Sequence, residues 1–412
     1  MEKLVAVLLL VSAVGARAAS FPFILNYVLH IDCGLTGETT EHYNNQTWFP
    51  DSFFMDTGKT KQINSETHHN VSDQVMTTLR YFPNGEAKNC YRLPLVNTEK
   101  FIFRAGFYYG NYDGKSQPPV FDLSLGGQPW ATVNSSAMDG PVFHELLYAP
   151  RNDNLSVCLV GRKEYGHTPF ISSLEATYLD EDDTDNRTVY GMMRNGTAYH
   201  LVARLNFGGH DQVIEPWSGM ADVCEERLNR YWTPQPMPGY TNLTFAATSC
   251  SGTAYENRPP NSVINTAISP ATNASQSIYV PVNLPTNTPQ SAYIVLYFYQ
   301  NRIVDGSPEN LNATRNMDVY IDGFMRRNVK LQGFRSGEVV TLYPVLVQDT
   351  VNVTISPANG TVLPPLLNGM EVFYATELAE EAGSSNGAIK ISCSVIVVGI
   401  CQLIVSVFLG LI

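Results

Sequence analysis

The chain repeats itself once, at the length of a domain. Phe121-Asp122-Leu123-Ser124-Leu125-Gly126-Gly127 returns as Met317-Asp318-Val319-Tyr320-Ile321-Asp322-Gly323. Leu155-Ser156-Val157-Cys158-Leu159 returns as Val351-Asn352-Val353-Thr354-Ile355. Leu174-Glu175-Ala176-Thr177-Tyr178 returns as Met370-Glu371-Val372-Phe373-Tyr374. The offset is 196 residues in each block, from Asp122 to Asp318, Val157 to Val353 and Glu175 to Glu371. Solenoid repeats run to roughly 20–50 residues, so a period this long is a whole domain. Two copies are expected, at residues 26–179 and 199–378, with an acidic linker at 180–198.

Both ends are apolar. Lys3, the run Leu4 to Val14 and the small-x-small stretch Ala16-Arg17-Ala18 describe a secretory signal peptide over residues 1–18. Residues 391–412 form an uncharged apolar tail with no basic residue after it, preceded by a spacer at 379–390. Small residues, a polar spacer and a terminal apolar run describe a GPI-attachment signal, with Gly383, Ser384, Ser385 and Asn386 as attachment candidates. A plain tail anchor is the alternative, and the missing basic flank favours GPI. Both readings put the protein in the secretory pathway, on the extracellular face of the plasma membrane.

Eleven N-glycosylation sequons fit that compartment: Asn45, Asn70, Asn134, Asn154, Asn186, Asn195, Asn242, Asn273, Asn312, Asn352 and Asn359. In its strand Asn352 alternates with Val351, Val353 and Ile355 and is expected to face outward. Cys393 and Cys401 lie in the tail, which leaves five cysteines before it. Cys33–Cys90 with Cys224–Cys250 is one pairing within the copies, although spacing does not fix connectivity. Cys158, flanked by Val157 and Leu159, is expected to be a buried free thiol. The net charge of −12 argues against nucleic acid. The run Asp180-Glu181-Asp182-Asp183-Thr184-Asp185 lacks the Gly and distal Glu of an EF-hand loop and reads as a solvated linker, so no metal or cofactor is expected.

Strand signals dominate. Phe121, Leu123 and Leu125 alternate with Asp122 and Ser124, and Met317, Val319 and Ile321 alternate with Asp318 and Tyr320, so one face of each strand is core. Gly and Pro punctuate the runs, and no long amphipathic helix is found between the termini. The expected class is all-β, two tandem β-sandwiches with jelly-roll winding.

Several blocks resemble plant malectin-like domains. They are Val28-Leu29-His30-Ile31-Asp32-Cys33-Gly34, Leu79-Arg80-Tyr81-Phe82-Pro83 with Asn89-Cys90-Tyr91, and above all Arg104-Ala105-Gly106-Phe107-Tyr108-Tyr109-Gly110-Asn111-Tyr112-Asp113-Gly114. Gly166-His167-Thr168-Pro169-Phe170 closes the first copy, and Leu363-Pro364-Pro365-Leu366-Leu367-Asn368 with Glu371 closes the second. The resemblance implies two tandem malectin-like domains, which in plants form the outer part of receptor kinases. This sequence departs from that plan: it carries no leucine-rich repeats, no kinase and no Gly-Asp-Pro-Cys segment after Leu378. A receptor-like ectodomain on its own anchor is therefore expected.

Animal malectin holds a glucose disaccharide through aromatic rings and an aspartate. The matching turn here, Tyr165-Gly166-His167-Thr168-Pro169, has no acid, so that specificity is not expected to carry over. Tyr108, Tyr109, Tyr112, Trp130 and His167 remain as ligand-binding candidates, with the loop-borne Tyr112 foremost. Core packing is the competing expectation for Tyr108 and Tyr109, and sheet capping for Trp130. No nucleophile elbow, zinc-protease motif or phosphate loop is present, and no catalytic residue is expected. Glu175 and Glu371 recur at equivalent places and read as relics on an outer strand face.

Three functions follow. The first is a non-catalytic cell-surface module for cell-wall oligosaccharide. The second is a co-receptor or decoy that binds a secreted peptide or a receptor ectodomain, with a receptor kinase of the same membrane as a further partner and the cleft between the copies as the site. The third, ranked last, is a carbohydrate-active enzyme.

Overall fold

The computed structural model describes residues 28–377, apart from 37–40, 44–45, 64–73, 84–87, 96–99, 136–139, 150–154, 163–166, 180–187, 210–227, 247–254, 271–274, 286–287 and 304–313. The signal peptide, the spacer and apolar tail, the acidic run, Cys224, Cys250 and six sequons (Asn45, Asn70, Asn154, Asn186, Asn273 and Asn312) lie outside the described residues. No helix among the described residues is long and apolar enough to cross a membrane.

The alternating and apolar runs form strands. The first half supplies β1 (Val28–Asp32), β2 (Glu41–Tyr43), β3 (Gln46–Pro50), β4 (Lys59–Gln62), β5 (Thr78–Tyr81), β6 (Lys88–Arg92), β7 (Phe101–Phe107), β8 (Val120–Leu125), β9 (Gln128–Asn134), β10 (Val142–Tyr148), β11 (Ser156–Gly161), β12 (Phe170–Ile171) and β13 (Ser173–Tyr178). The second supplies β14 (Thr197–Phe207), β15 (Thr233–Gln235), β16 (Tyr240–Thr244), β17 (Thr266–Pro270), β18 (Ile278–Asn283), β19 (Gln290–Gln300), β20 (Thr314–Ile321), β21 (Phe324–Gln332), β22 (Ser336–Val347), β23 (Thr350–Pro357) and β24 (Gly369–Glu377).

The sheets repeat as the sequence does. The order β6-β11-β8-β9 in the first half is matched by β18-β23-β20-β21 in the second. Register follows the same offset: Leu125 lies opposite Val157 as Ile321 lies opposite Val353, and Leu123 opposite Leu159 as Val319 opposite Ile355. The facing layers are β3-β1-β13-β7-β10 and β15-β14-β24-β19-β22. They are not separate, because β10 pairs with β14 through Leu146–His200, Leu147–Tyr199 and Tyr148–Ala198. One long sheet therefore runs through both sandwiches.

Two cores fill the sandwiches, one around Phe107, Phe121 and Phe170 and the other around Leu296, Val319 and Val353. A third covers the opposite face of the long sheet, with Ile102, Leu147, Tyr199, Tyr293, Tyr297 and Phe373 under Tyr190 and Trp232. Burial on both faces explains why Tyr293 to Tyr299 is an unbroken apolar run rather than an alternating one. The Asp32-Cys33-Gly34 signature has a steric cause. A Cβ on Gly34 would meet Leu79 N at 2.3 Å, and the Asp32 carboxylate accepts from Gly34 N–H and the Thr78 hydroxyl.

Three expectations need correction. Cys90 is bonded to Cys158, across the register that sets β6 against β11, while Cys33 is free and buried; neither the Cys33–Cys90 pairing nor a free Cys158 holds. Glu175 and Glu371 do point away from the sandwich cores, but that face is covered, and they are 4 % and 0 % exposed. Val351, Val353 and Ile355 are buried as expected. Asn352 alternates with them on the outer face as expected, half-buried, where its Nδ2 donates to Asp322 at 2.9 Å and its Oδ1 accepts from the Tyr279 hydroxyl at 2.6 Å. Asn134, Asn195, Asn242 and Asn359 are exposed.

Candidate functional site

The join between the halves is short, and this creates a cleft. Pairing of β10 with β14 ends at Leu146 and His200; among the described residues the remainder of β10, Val142 to Glu145, pairs only with β7. On β14, the ladder with β24 shifts register between Leu201 and Ala203. The fork between them opens into a cleft of about 880 Å³.

A chain of buried charges crosses the fork. Glu175 and Glu371 anchor its two ends in equivalent places but take their cations from different strands, Arg104 on β7 and Arg204 on β14. Glu145 on β10 bridges the halves, accepting from Arg104 Nη2 at 2.8 Å and from Arg204 Nη2 at 2.6 Å. Arg204 Nε donates to Glu371 at 2.5 Å, and Arg230 Nη1 stands 3.6 Å from the same carboxylate. The Tyr190 and Tyr297 hydroxyls donate to Glu371, the Asn229 side chain donates to Glu175, and Arg104 donates to the Asn229 carbonyl. Three guanidiniums thus face three carboxylates. Burial pushes the Glu145 pKa up, but Arg204 and then Arg104 override it and hold it at about 2. Burial acts on Glu371 in the same way, and Arg204 and Arg230 keep it below the ordinary carboxylate range.

Aromatic side chains line the cleft above this floor. Tyr231 is sandwiched, with Phe143 stacked at 5.7 Å on one contact and the Arg104 guanidinium 4.4 Å from its ring centroid on another. His200 stacks on Tyr374 at 4.5 Å and shares a hydrogen bond of 2.9 Å with the Thr376 hydroxyl. Burial lowers the pKa of His200 to about 4 and lowers that of His144, so both are neutral at physiological pH. Among the described residues no group of His, Cys, Asp and Glu is placed to hold a metal ion.

Of the sequence candidates, Trp130 lines this cleft. The others lie elsewhere, Tyr109 and Tyr112 against Phe170. Tyr108 and Tyr109 are buried. The Tyr109 hydroxyl donates to Asp113 at 2.5 Å and accepts from Gln117 N–H, which ties down the loop after β7. Tyr112 is half-buried, with its ring 5.4 Å from Tyr81 and 5.6 Å from Phe170. His167 Nδ1 accepts from Val120 N–H at 2.8 Å. Sequence reasoning missed Phe143, His144, Tyr231 and the charge ladder. The recurrence of Glu175 and Glu371 was the available signal.

A family model described as the malectin-like domain matches residues 31–375. A leucine-rich repeat receptor-like serine/threonine-protein kinase of Arabidopsis thaliana is 29 % identical over 369 residues, which is 88 % of this chain and 39 % of the kinase. The chain thus spans about two fifths of the length of that curated relative. The ANX2 ectodomain from Arabidopsis thaliana has a similar fold, with a TM-score of 0.65 and 16 % identity over 85 % of this chain and 97 % of that one. So does a chain in the structure of the plant peptide RALF23 in complex with FER and LLG2, with a TM-score of 0.63 and 17 % identity over 85 % of this chain and 95 % of that one.

Proposed function

The chain belongs to the malectin-like family, and on that premise we propose that it is an extracellular, non-catalytic binding module whose ligand site is the fork between its halves. The ligand class is cell-wall oligosaccharide. The observation that carries this reading is the composition of the cleft, whose lining combines the aromatic residues Trp130, Phe143, Tyr231 and Tyr374 with the charged Arg104, Glu145 and Arg204. Sugars present C–H faces that stack on aromatic rings and oxygens that need fixed hydrogen-bonding groups. The floor residues are locked by one another and suit binding more than proton transfer, because each is held far from neutral pKa. Signal peptide, glycosylation and GPI attachment remain part of the proposal, supported by the sequence of both ends and by the four exposed sequon asparagines.

A second reading is a module for a secreted peptide or a partner receptor. It is favoured by the fold shared with an ectodomain solved together with RALF23 and LLG2. The two separate in one experiment. The purified protein is titrated by calorimetry with neutral and acidic wall oligosaccharides and with basic secreted peptides, alongside Phe143→Ala, a change at a side chain already 37 % exposed. Saturable sugar binding that weakens at least tenfold in Phe143→Ala supports the first reading. Peptide binding without sugar binding replaces it with the second.

A further inference from the structure

β21 is the counterpart of β9, and the two strands have diverged. By the 196-residue offset Trp130 becomes Arg326, Ala131 becomes Arg327 and Asn134 becomes Lys330. β9 carries no charged residue, whereas β21 carries three cations and no acid, in a chain of net charge −12. Their surroundings differ as well. The second half engages β9: Trp130 is 3 % exposed, and His200 makes a hydrogen bond to its backbone. Among the described residues β21 instead ends its sheet, and Phe324 through Asn328 are all exposed, Phe324 at 68 % and Met325 at 52 %. Arg326 lies 5.8 Å from the Phe324 ring centroid. Arg327 reaches Glu338 at 3.3 Å, while among the described residues Arg326 and Lys330 meet no carboxylate.

We infer that β21 is a docking surface for an acidic segment of a partner protein, with Arg326 and Lys330 receiving its carboxylates and Phe324 and Met325 its apolar side chains. The inference goes beyond the cleft and stands whichever ligand the cleft takes. Aromatic residues, Met and Arg are the types enriched where proteins meet, and a local excess of cations on an acidic molecule selects an acidic partner. Charge on an edge strand also wards off pairing with like edges, but that role gives no reason for Phe324 and Met325 to stand uncovered beside the arginines. The backbone distinguishes a polypeptide from an acidic polysaccharide. Asn316, opposite Lys330, donates its N–H to Thr361 and accepts from Ala358 N–H, both on the side away from β21. Lys330 therefore directs its own N–H and C=O outward, and strand alternation turns those of Asn328 the same way. An extended polypeptide lying alongside can pair with these groups and bring apolar side chains to Met325, whereas a polysaccharide acid offers carboxylates alone.

The test titrates the purified protein with a peptide in which glutamate alternates with leucine and phenylalanine, with the same peptide carrying lysine for glutamate, and with polygalacturonate. The expected result is saturable binding of the acidic peptide alone, weakened about tenfold between about 20 mM and 500 mM NaCl because the charges are exposed and screened. Reversing both free cations, Arg326→Glu with Lys330→Glu, should weaken it about tenfold, and Phe324→Ser about fivefold. All three positions are exposed, so the variants are expected to keep the wild-type melting temperature. The cleft variant Phe143→Ala should bind the peptide as the wild type does. No binding at about 1 mM peptide, or unchanged affinity in the charge-reversed protein, overturns the inference. So does loss of peptide binding in Phe143→Ala, which would place the peptide in the cleft. Polygalacturonate binding that charge reversal abolishes and Phe324→Ser leaves alone would make β21 a polyanion site, and a dimer in gel filtration that charge reversal dissolves would make its occupant a second copy; either result replaces the acidic partner.

Discussion

Glu145→Gln removes the middle carboxylate of the ladder and leaves Arg104 and Arg204 facing each other with one buried positive charge unbalanced. The side chain is 5 % exposed and accepts from both guanidiniums. Deleting one member of a buried pair costs about 3–5 kcal/mol. The acidity of Glu145 gives a similar figure: a carboxyl held at about 2 instead of 4.5 is worth about 3 kcal/mol of folding stability. Against a total of about 5–15 kcal/mol for a typical domain, that is a large share. The folded-state pKa is depressed, so the contribution is fully present above about pH 4.5 and is lost as pH falls toward about 2. Urea unfolding followed by tryptophan fluorescence measures it. At pH 7 the variant is expected to be less stable by about 3–5 kcal/mol, and the gap between the two proteins should close as pH falls through that window. A gap below about 1 kcal/mol at pH 7, the worth of an exposed pair, or one that stays constant down to pH 2, would refute the buried ladder as the element that joins the halves.

Replacing Cys90 and Cys158 together by Ser opens a closed loop with a sequence separation of 68 residues, and stability measured in urea should fall by about 4 kcal/mol. Cys33 is fully buried with its thiol pKa pushed up by burial, so iodoacetamide should label it only after denaturation, as mass spectrometry would show. Phe170→Ala removes a fully buried ring that Phe107, Tyr109, Tyr112 and Phe121 surround, and should destabilise by about 3–5 kcal/mol in the same assay. Tyr112→Ala should lower the melting temperature, since its ring packs on Tyr81 and Phe170, yet leave binding at the cleft unchanged in calorimetry.

How much was legible beforehand depended on the range of the interaction. The Val351-Asn352-Val353-Thr354-Ile355 strand, the duplicate registers and the all-β class follow from local alternation and from the constant offset, and the structure carries them through. Cys158 misled because its neighbours, Val157 and Leu159, describe its strand and say nothing of Cys90 across the ladder. Glu175 and Glu371 misled for a related reason. Period two correctly turned them away from the sandwich cores, but only the long sheet and the connecting segment around Tyr190, Asn229 and Arg230 make that second face an interior. Their cations sit 71 and 167 residues away in sequence, beyond any local pattern. Among the ligand candidates, Trp130 was visible as an aromatic after a turn, whereas Phe143 and Tyr231 become cleft residues only because β10 and β14 part company.

The union of β10 with β14 also has a bearing on self-association. A copy built this way exposes its last strand as a template, and in the first half that template is occupied by the second half. By the 196-residue offset, the docking stretch Leu146-Leu147-Tyr148 has its counterpart in Leu342-Tyr343-Pro344 of β22, which among the described residues pairs only with β19 and ends the sheet. There the duplicate has changed: Pro344 has no N–H to offer an incoming strand, and Thr341 stands where Glu145 would have received an arginine from the next copy. The features by which β10 receives the second copy are thus replaced in the counterpart stretch of β22.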